Sequence, residues 1–164
     1  MVADMTLRFG SLRVPTTVHW PPVETVCLAL VLCDELSPAD PLVGHCVVVG
    51  LAGVHSGSIE LAALHWVSEH IHELGAKGDR MLVAGGARAA RLALAARDSG
   101  WPVLRRQLLV HPRFTVEQPM PTNVVGAPPA TVISGEGNDD ARRYAERLRA
   151  AGVEVDEVLD DGHR

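Results

Sequence analysis

The chain has 164 residues, enough for one domain with a real hydrophobic core. Its formal charge of −5 gives no electrostatic reason to expect a nucleic-acid partner, and its longest apolar run, Val26 to Cys33, is too short to span a bilayer. The N-terminus lacks the pattern of a secretory signal, so we expect a cytoplasmic protein with no membrane partner.

Strand patterns occupy the first third of the chain. Residues 13–20 are rich in β-forming residue types and end at a Pro-Pro break. We therefore assign residues 1–22 to an N-terminal strand and linker, and residues 23–164 to the core of a single domain. Residues 26–32 and 45–51 are continuous apolar runs, which is typical of strands that are covered on both faces.

Helices and strands alternate from about residue 45 onwards. Between Ser58 and Leu74 apolar residues recur at helical spacing, with Ser58 as the expected N-cap and Gly75 as the stop. This order predicts βαβ units, a mostly parallel sheet and an α/β fold. The later elements are strands at 80–84, 106–110, 130–134 and 153–159, a helix from the Gly85-Gly86 pair to about residue 99, and a helix at 139–151.

The three cysteines, Cys27, Cys33 and Cys46, lie in or beside apolar runs. They form no CxxC pair, the spacing that most often marks a metal or redox motif. We interpret them as buried reduced thiols. His65 and His72 are seven residues apart, not at the spacing of a helical metal site, so we predict no metal site and no cofactor.

Two stretches carry an extended resemblance. Residues 65–112 run from a helix through the GAKGDRM turn and a strand to the turn GGARA, a second helix and the strand LRRQLLVHP. Residues 128–164 contain a strand, the helix YAERLRAAG and Asp161-Gly162-His163. In this order they resemble the α/β-hydrolase superfamily, most closely esterases of the hormone-sensitive-lipase type. The resemblance implies a reduced α/β-hydrolase-like fold, a three-layer sandwich with a mostly parallel sheet.

The resemblance also identifies a missing nucleophile. In the family a GxSxG turn exposes the hydroxyl of the catalytic serine on a strained strand-to-helix turn. Here Ala87 stands at the serine position and Ala89 at the second glycine. Loss of a triad serine costs about a million-fold in turnover. We therefore expect no serine-esterase activity.

The other two triad positions are also altered or weakly held. The acid position falls nearest Asn138, and Asp139 and Asp140 are possible substitutes. We favour another role for these two aspartates, as residues of the N-cap and first turn of the next helix. The histidine position matches His163. It is the penultimate residue, where the family continues through a further helix, so we expect it to be mobile. His111 stands where the family commonly has tyrosine, and we interpret it as a structural substitution.

The family's oxyanion turn is equally changed. A glycine-rich turn supplies its N–H donors in the family, whereas Cys33-Asp34-Glu35-Leu36 follow the corresponding strand here. Our candidates for lining a ligand pocket are Cys33, Asp34, Gly86 and Arg88. Gly86 and Arg88 at a helix start also retain the ingredients of an anion site.

We therefore predict a catalytically degenerate hydrolase-fold protein, a pseudo-esterase that binds a small ligand or a protein. A core without the family's lid and last helix leaves apolar surface, which a homodimer would cover. Two alternatives stay open. One is a residual esterase that uses water activated by His163 with Asp139 or Asp140, and the other is an interaction or regulatory module.

Overall fold

Eight strands and three helices make up the part of the chain that the computed structural model describes, namely residues 1–22, 24, 27–32, 36–38, 40–53, 55–77 and 79–160. The elements are β1 (Val2–Phe9), β2 (Leu12–His19), β3 (Cys27–Val31), β4 (Cys46–Leu51), α1 (Gly57–Glu69), β5 (Met81–Gly85), α2 (Ala87–Ser99), β6 (Arg106–Val110), β7 (Ala130–Ser134), α3 (Asp139–Ala150) and β8 (Val155–Leu159). No helix in these ranges is long and apolar enough to cross a membrane.

All eight strands form one sheet in the order β1-β2-β4-β3-β5-β6-β7-β8. The β1–β2 hairpin and the β2–β4 pair are antiparallel, and every other neighbouring pair is parallel. The predicted α/β class with a mostly parallel sheet is confirmed. Strands β3 to β8 therefore end at one common edge, called here the carboxyl edge, where open α/β sheets place their sites.

The two faces of the sheet have different covers, because successive strand side chains point to opposite faces. One face packs against all three helices in a large core cluster, to which the strands contribute residues such as Leu30, Val49, Val83 and Val132. The other face packs, among the described residues, against coil between β3 and β4, chiefly Leu36 and Val43. The three layers are thus helices, sheet and a thin layer of coil.

The N-terminal strand and both ends of α1 differ from the sequence prediction, since α1 ends at Glu69 and not near Leu74. Residues 1–22 contain the β1–β2 hairpin rather than one strand. The sequence does not indicate β1, because it is an edge strand in which only Leu7 is buried, so it has no apolar run. Helix α1 begins at Gly57, since the Ser56 hydroxyl accepts from the Ile59 N–H, so Ser56 is the N-cap and not Ser58. The apolar periodicity continues past α1 because the following turn also packs on the core through Ile71.

Candidate functional site

The turn from β5 to α2 lies at the centre of the carboxyl edge, and Ala87 is the first residue of α2. Gly85 has a φ of 154°, whereas His111 is the one non-glycine residue with positive φ in the described ranges. The unusual backbone of this turn is therefore at Gly85 and not at Ala87. A Cβ on Gly85 would lie 3.3 Å from the Ala89 Cβ, so strand and helix meet closely here. Ala87 has neither a nucleophilic atom nor the strained backbone of a nucleophile turn.

Arg88 joins three parts of the carboxyl edge. Its Nε donates to Glu60 Oε2 on α1 at 2.8 Å, and the guanidinium also forms an ion pair with that oxygen. Its Nη1 donates to the Leu32 carbonyl after β3 at 3.2 Å, and its Nη2 to the Gly53 carbonyl after β4 at 3.3 Å. The side chain thus fastens the α2 turn to α1 and to two strand ends.

The Glu60 carboxylate is the buried partner of this ion pair, with its side chain 6% exposed against 20% for Arg88. Burial raises the pKa of Glu60, while the charge and hydrogen bonds of Arg88, and more weakly His55, lower it in part. Arg88 is therefore already paired with an anion inside the protein. Both residues form part of the wall of a cleft of about 420 Å³, to which Gly57, Arg91 and Gln118 also contribute.

The residues at the acid position have structural partners. Asn138 is the N-cap of α3, accepting from the Ala141 N–H at 3.1 Å. Asp140 accepts from the Phe114 N–H at 2.8 Å, and the exposed Asp139 lies 3.5 Å from Arg142. The two aspartates lie in the first turn of the helix and not at its N-cap, and they are bonded to a backbone amide and to an arginine.

Three candidates from the sequence, Cys33, Asp34 and His163, lie outside the described residues. Gly86 is the N-cap of α2 and supplies no side-chain cap; its carbonyl accepts from the Ala89 and Ala90 N–H groups. Two of the predicted pocket residues are described. Gly86 is the N-cap of α2, and Arg88 lies in the first turn of that helix and lines the cleft.

A histidine–aspartate pair at the carboxyl edge escaped the sequence interpretation. His111 Nε2 lies 2.9 Å from Asp160 Oδ2, and the aspartate side chain is 11% exposed. His111 directly follows β6 with a φ of 45°, and Asp160 directly follows β8. The carbonyl of Val110 lies 3.6 Å from where a Cβ on Gly86 would be, so this pair is beside the α2 turn. The available signal was that each residue immediately follows a predicted strand, the buried β6 for His111 and the exposed β8 for Asp160.

His65 in α1 and His70, the C-cap of α1, each stack on a tryptophan ring. His65 stacks on Trp101 with ring centroids 4.1 Å apart, and His70 stacks on Trp66 at 4.0 Å. Cys46 is buried, as predicted for the cysteines, whereas Cys27 is half-buried. They lie at the opposite edge of the sheet together with His45, with the three ligand atoms within 4.8 Å of one another. Parallel strand register creates this group, so no local spacing motif marks it.

The strand order and the glycine turn between β5 and α2 define an α/β-hydrolase fold. Solved esterases superimpose on most of the chain. A thermostable esterase from Pseudomonas putida has a TM-score of 0.80 at 23% identity, covering 97% of this chain and 72% of that one. The carboxylesterase EstE1, from a metagenomic library, has a TM-score of 0.81 at 19% identity, covering 99% and 79%.

Sequence relatives point to the same class. Carboxylesterase NlhH of Mycobacterium tuberculosis is 27% identical over 228 residues, covering 94% of this chain and 72% of NlhH. Esterase LipI of the same organism is 30% identical over 143 residues, covering 58% of this chain and 45% of LipI. No family model matches the chain. This protein therefore has the α/β-hydrolase fold and is similar in sequence to carboxylesterases, as the resemblance predicted.

Proposed function

We propose that this protein is a catalytically degenerate esterase-like protein that binds a small ligand or a protein partner at its carboxyl edge. The observation that carries the proposal is Ala87, which stands at the nucleophile position as an ordinary first residue of α2. Arg88 supports it, because its bonds to Glu60 and to the Leu32 and Gly53 carbonyls give this turn a structural role. Serine catalysis requires a hydroxyl that this turn does not supply.

A binding role is compatible with what relatives of this fold do. A serine-to-alanine mutant of a structurally similar esterase was crystallised in complex with (S)-Ac-CPA, with a TM-score of 0.79 and 23% identity to this chain. Losing a serine hydroxyl therefore leaves ligand binding possible on the fold. The cleft of about 420 Å³ beside Arg88 and Glu60 is the space that we assign to a small ligand.

Hydrolysis of p-nitrophenyl butyrate tests the proposal. We expect the wild-type protein to match the buffer rate, and Ala87→Ser to remain within about ten-fold of it, because residue 87 begins α2 without the strained backbone that presents the hydroxyl of a nucleophile turn. Ala150→Ser, at an exposed position of α3 away from the cleft, is the matched control. Wild-type turnover well above the buffer rate would contradict the proposal. For binding, butyrate should shift the NMR amide signals of the cleft residues, and unmoved signals would count against a small carboxylate ligand.

A second candidate function rests on the His111–Asp160 pair. A carboxylate that orients an imidazole is the arrangement of a general base, and here it would activate water for ester hydrolysis without a serine. The same assay separates the two functions. Turnover that both His111→Gln and Asp160→Asn abolish, with unchanged thermal melting, would identify a residual hydrolase and replace the first proposal.

The homodimer expected from the sequence remains a proposal. Strand β8 is an edge of the sheet, and its last residues are apolar and open, with Leu159 74% exposed. Exposed edge strands readily pair with another chain. We expect light scattering to give the mass of a dimer, and Val158→Lys, which places a charge on the edge, to reduce it to a monomer. A wild-type monomer at all concentrations would rule the dimer out.

A further inference from the structure

A group of two thiols and an imidazole lies at the edge of the sheet opposite Ala87. Cys27 and Cys46 are the first residues of β3 and β4, and these two parallel strands place them in direct register. His45 precedes Cys46. The two sulfurs and a ring nitrogen of His45 all lie within 4.8 Å of one another.

This donor set matches a metal with affinity for soft ligands. Thiolate sulfur and imidazole nitrogen are the usual ligands of zinc, and two sulfurs on a tetrahedral zinc at about 2.3 Å are roughly 3.8 Å apart. Small side-chain rotations would shorten the distances between the ligand atoms to those of a zinc site. His45 is exposed and Cys27 half-buried, so both can rotate, while the buried Cys46 holds its position. We propose that Cys27, His45 and Cys46 bind a zinc ion.

A cleft of about 460 Å³ adjoins this group, since Cys27 and His45 help to line it. The same cleft is lined by Glu24 and by the arginines Arg80, Arg105 and Arg106. The Nε of Arg80 is buried with no hydrogen-bond partner in the described structure. Two thiolates neutralise a divalent ion, so the arginines favour an anionic fourth ligand, either the Glu24 carboxylate or a small anion from solution.

Zinc binds cysteine as the thiolate, so the thiol protons leave when the metal binds. Burial raises the pKa of Cys46, and the hydrogen bond and charge of Cys27 raise it further. Zinc must displace these protons, so its binding weakens as the pH falls. The described charged groups that line the adjoining cleft are Glu24 and the three arginines, and the arginines favour the thiolates that zinc requires. Because Cys27 and Cys46 begin their strands, the site lies at the opposite ends of the strands from the carboxyl edge. It is separate from the function proposed there.

Cobalt(II) titration of the reduced, chelator-treated chain tests the site. We expect one equivalent of cobalt to give the intense visible bands of tetrahedral thiolate coordination, and zinc to remove them. Cys27→Ser, Cys46→Ser and His45→Gln should each weaken zinc binding by roughly 100-fold or more. His65→Gln, which removes a histidine outside the group, should bind as the wild type does.

His45→Gln keeps the test decisive if Cys46→Ser does not fold, since His45 is exposed and its loss leaves the core unchanged. Three results would overturn the proposal. The first is unchanged zinc binding in a folded His45→Gln variant, and the second is a cobalt spectrum without thiolate bands. The third is protein isolated without reductant that has a Cys27–Cys46 disulfide and still binds no metal after that disulfide is reduced.

Discussion

Arg88→Met is expected to lower the free energy of unfolding by about 3–5 kcal/mol, because it leaves the buried Glu60 carboxylate without its partner. Methionine retains the apolar stem of arginine, so the loss reports the charge and its hydrogen bonds. Chemical denaturation monitored by circular dichroism gives the value. A loss below about 1 kcal/mol would mean that the pair behaves as an exposed surface ion pair.

The matched control is the double variant Arg88→Met with Glu60→Met. Replacing both members of a buried ion pair by apolar residues of similar size is often neutral or stabilising, so we expect most of the loss to be recovered. A double-mutant cycle isolates the pairwise coupling. Losses that simply add would show that Glu60 and Arg88 do not depend on one another.

The same pair predicts a pH dependence. The pKa of Glu60 is raised by burial, and Arg88 lowers it in part. Removing Arg88 raises the pKa of Glu60 further, so ionising this carboxyl group in the folded protein costs more free energy than it does in the wild type. A raised folded-state pKa means that stability is lost as the pH rises through it. The deficit of Arg88→Met should therefore shrink towards acidic pH, where Glu60 is protonated in both proteins.

Tyr144→Ala is the second change with a large expected effect, a loss of about 3–5 kcal/mol. Tyr144 on α3 is completely buried, and its ring lies 5.1 Å from that of Phe114. Its hydroxyl has no hydrogen-bond partner in the described part of the chain, and burial raises its pKa to about 12. Thermal and chemical unfolding measure the loss.

Tyr144→Phe separates ring packing from the hydroxyl. Removing an unsatisfied buried hydroxyl relieves a desolvation cost, so we expect no loss and a gain of up to about 1 kcal/mol. A Phe variant as damaged as the Ala variant would mean that the hydroxyl is bonded in solution. The Phe114 ring packs on Tyr144, and the Phe114 N–H donates to Asp140. We therefore expect Tyr144→Ala to increase the mobility of the segment that begins at His111.

Local pattern was sufficient for most of the fold. Continuous apolar runs marked β3 and β4, and Ala- and Leu-rich periodicity marked α2, because burial on both faces or on one helical face leaves a period in the sequence. β1 was missed because an edge strand with one buried side chain leaves no such trace. The absence of a hydroxyl at position 87 was likewise evident from the sequence, since residue type alone decides it.

Tertiary structure decided which residues meet. Glu60 and Arg88, His111 and Asp160, and Cys27 and Cys46 are separated by 28, 49 and 19 positions, so no helical or strand period relates them. They are brought together by the lateral order of the strands and by parallel register, which aligns the beginnings and ends of distant strands at common edges. The sequence by itself determined the fold class and the absence of a hydroxyl at residue 87. Only the packed sheet determined that Arg88 is an internal ion-pair partner and that two thiols share an edge, because side-chain chemistry depends on neighbours that the chain order does not specify.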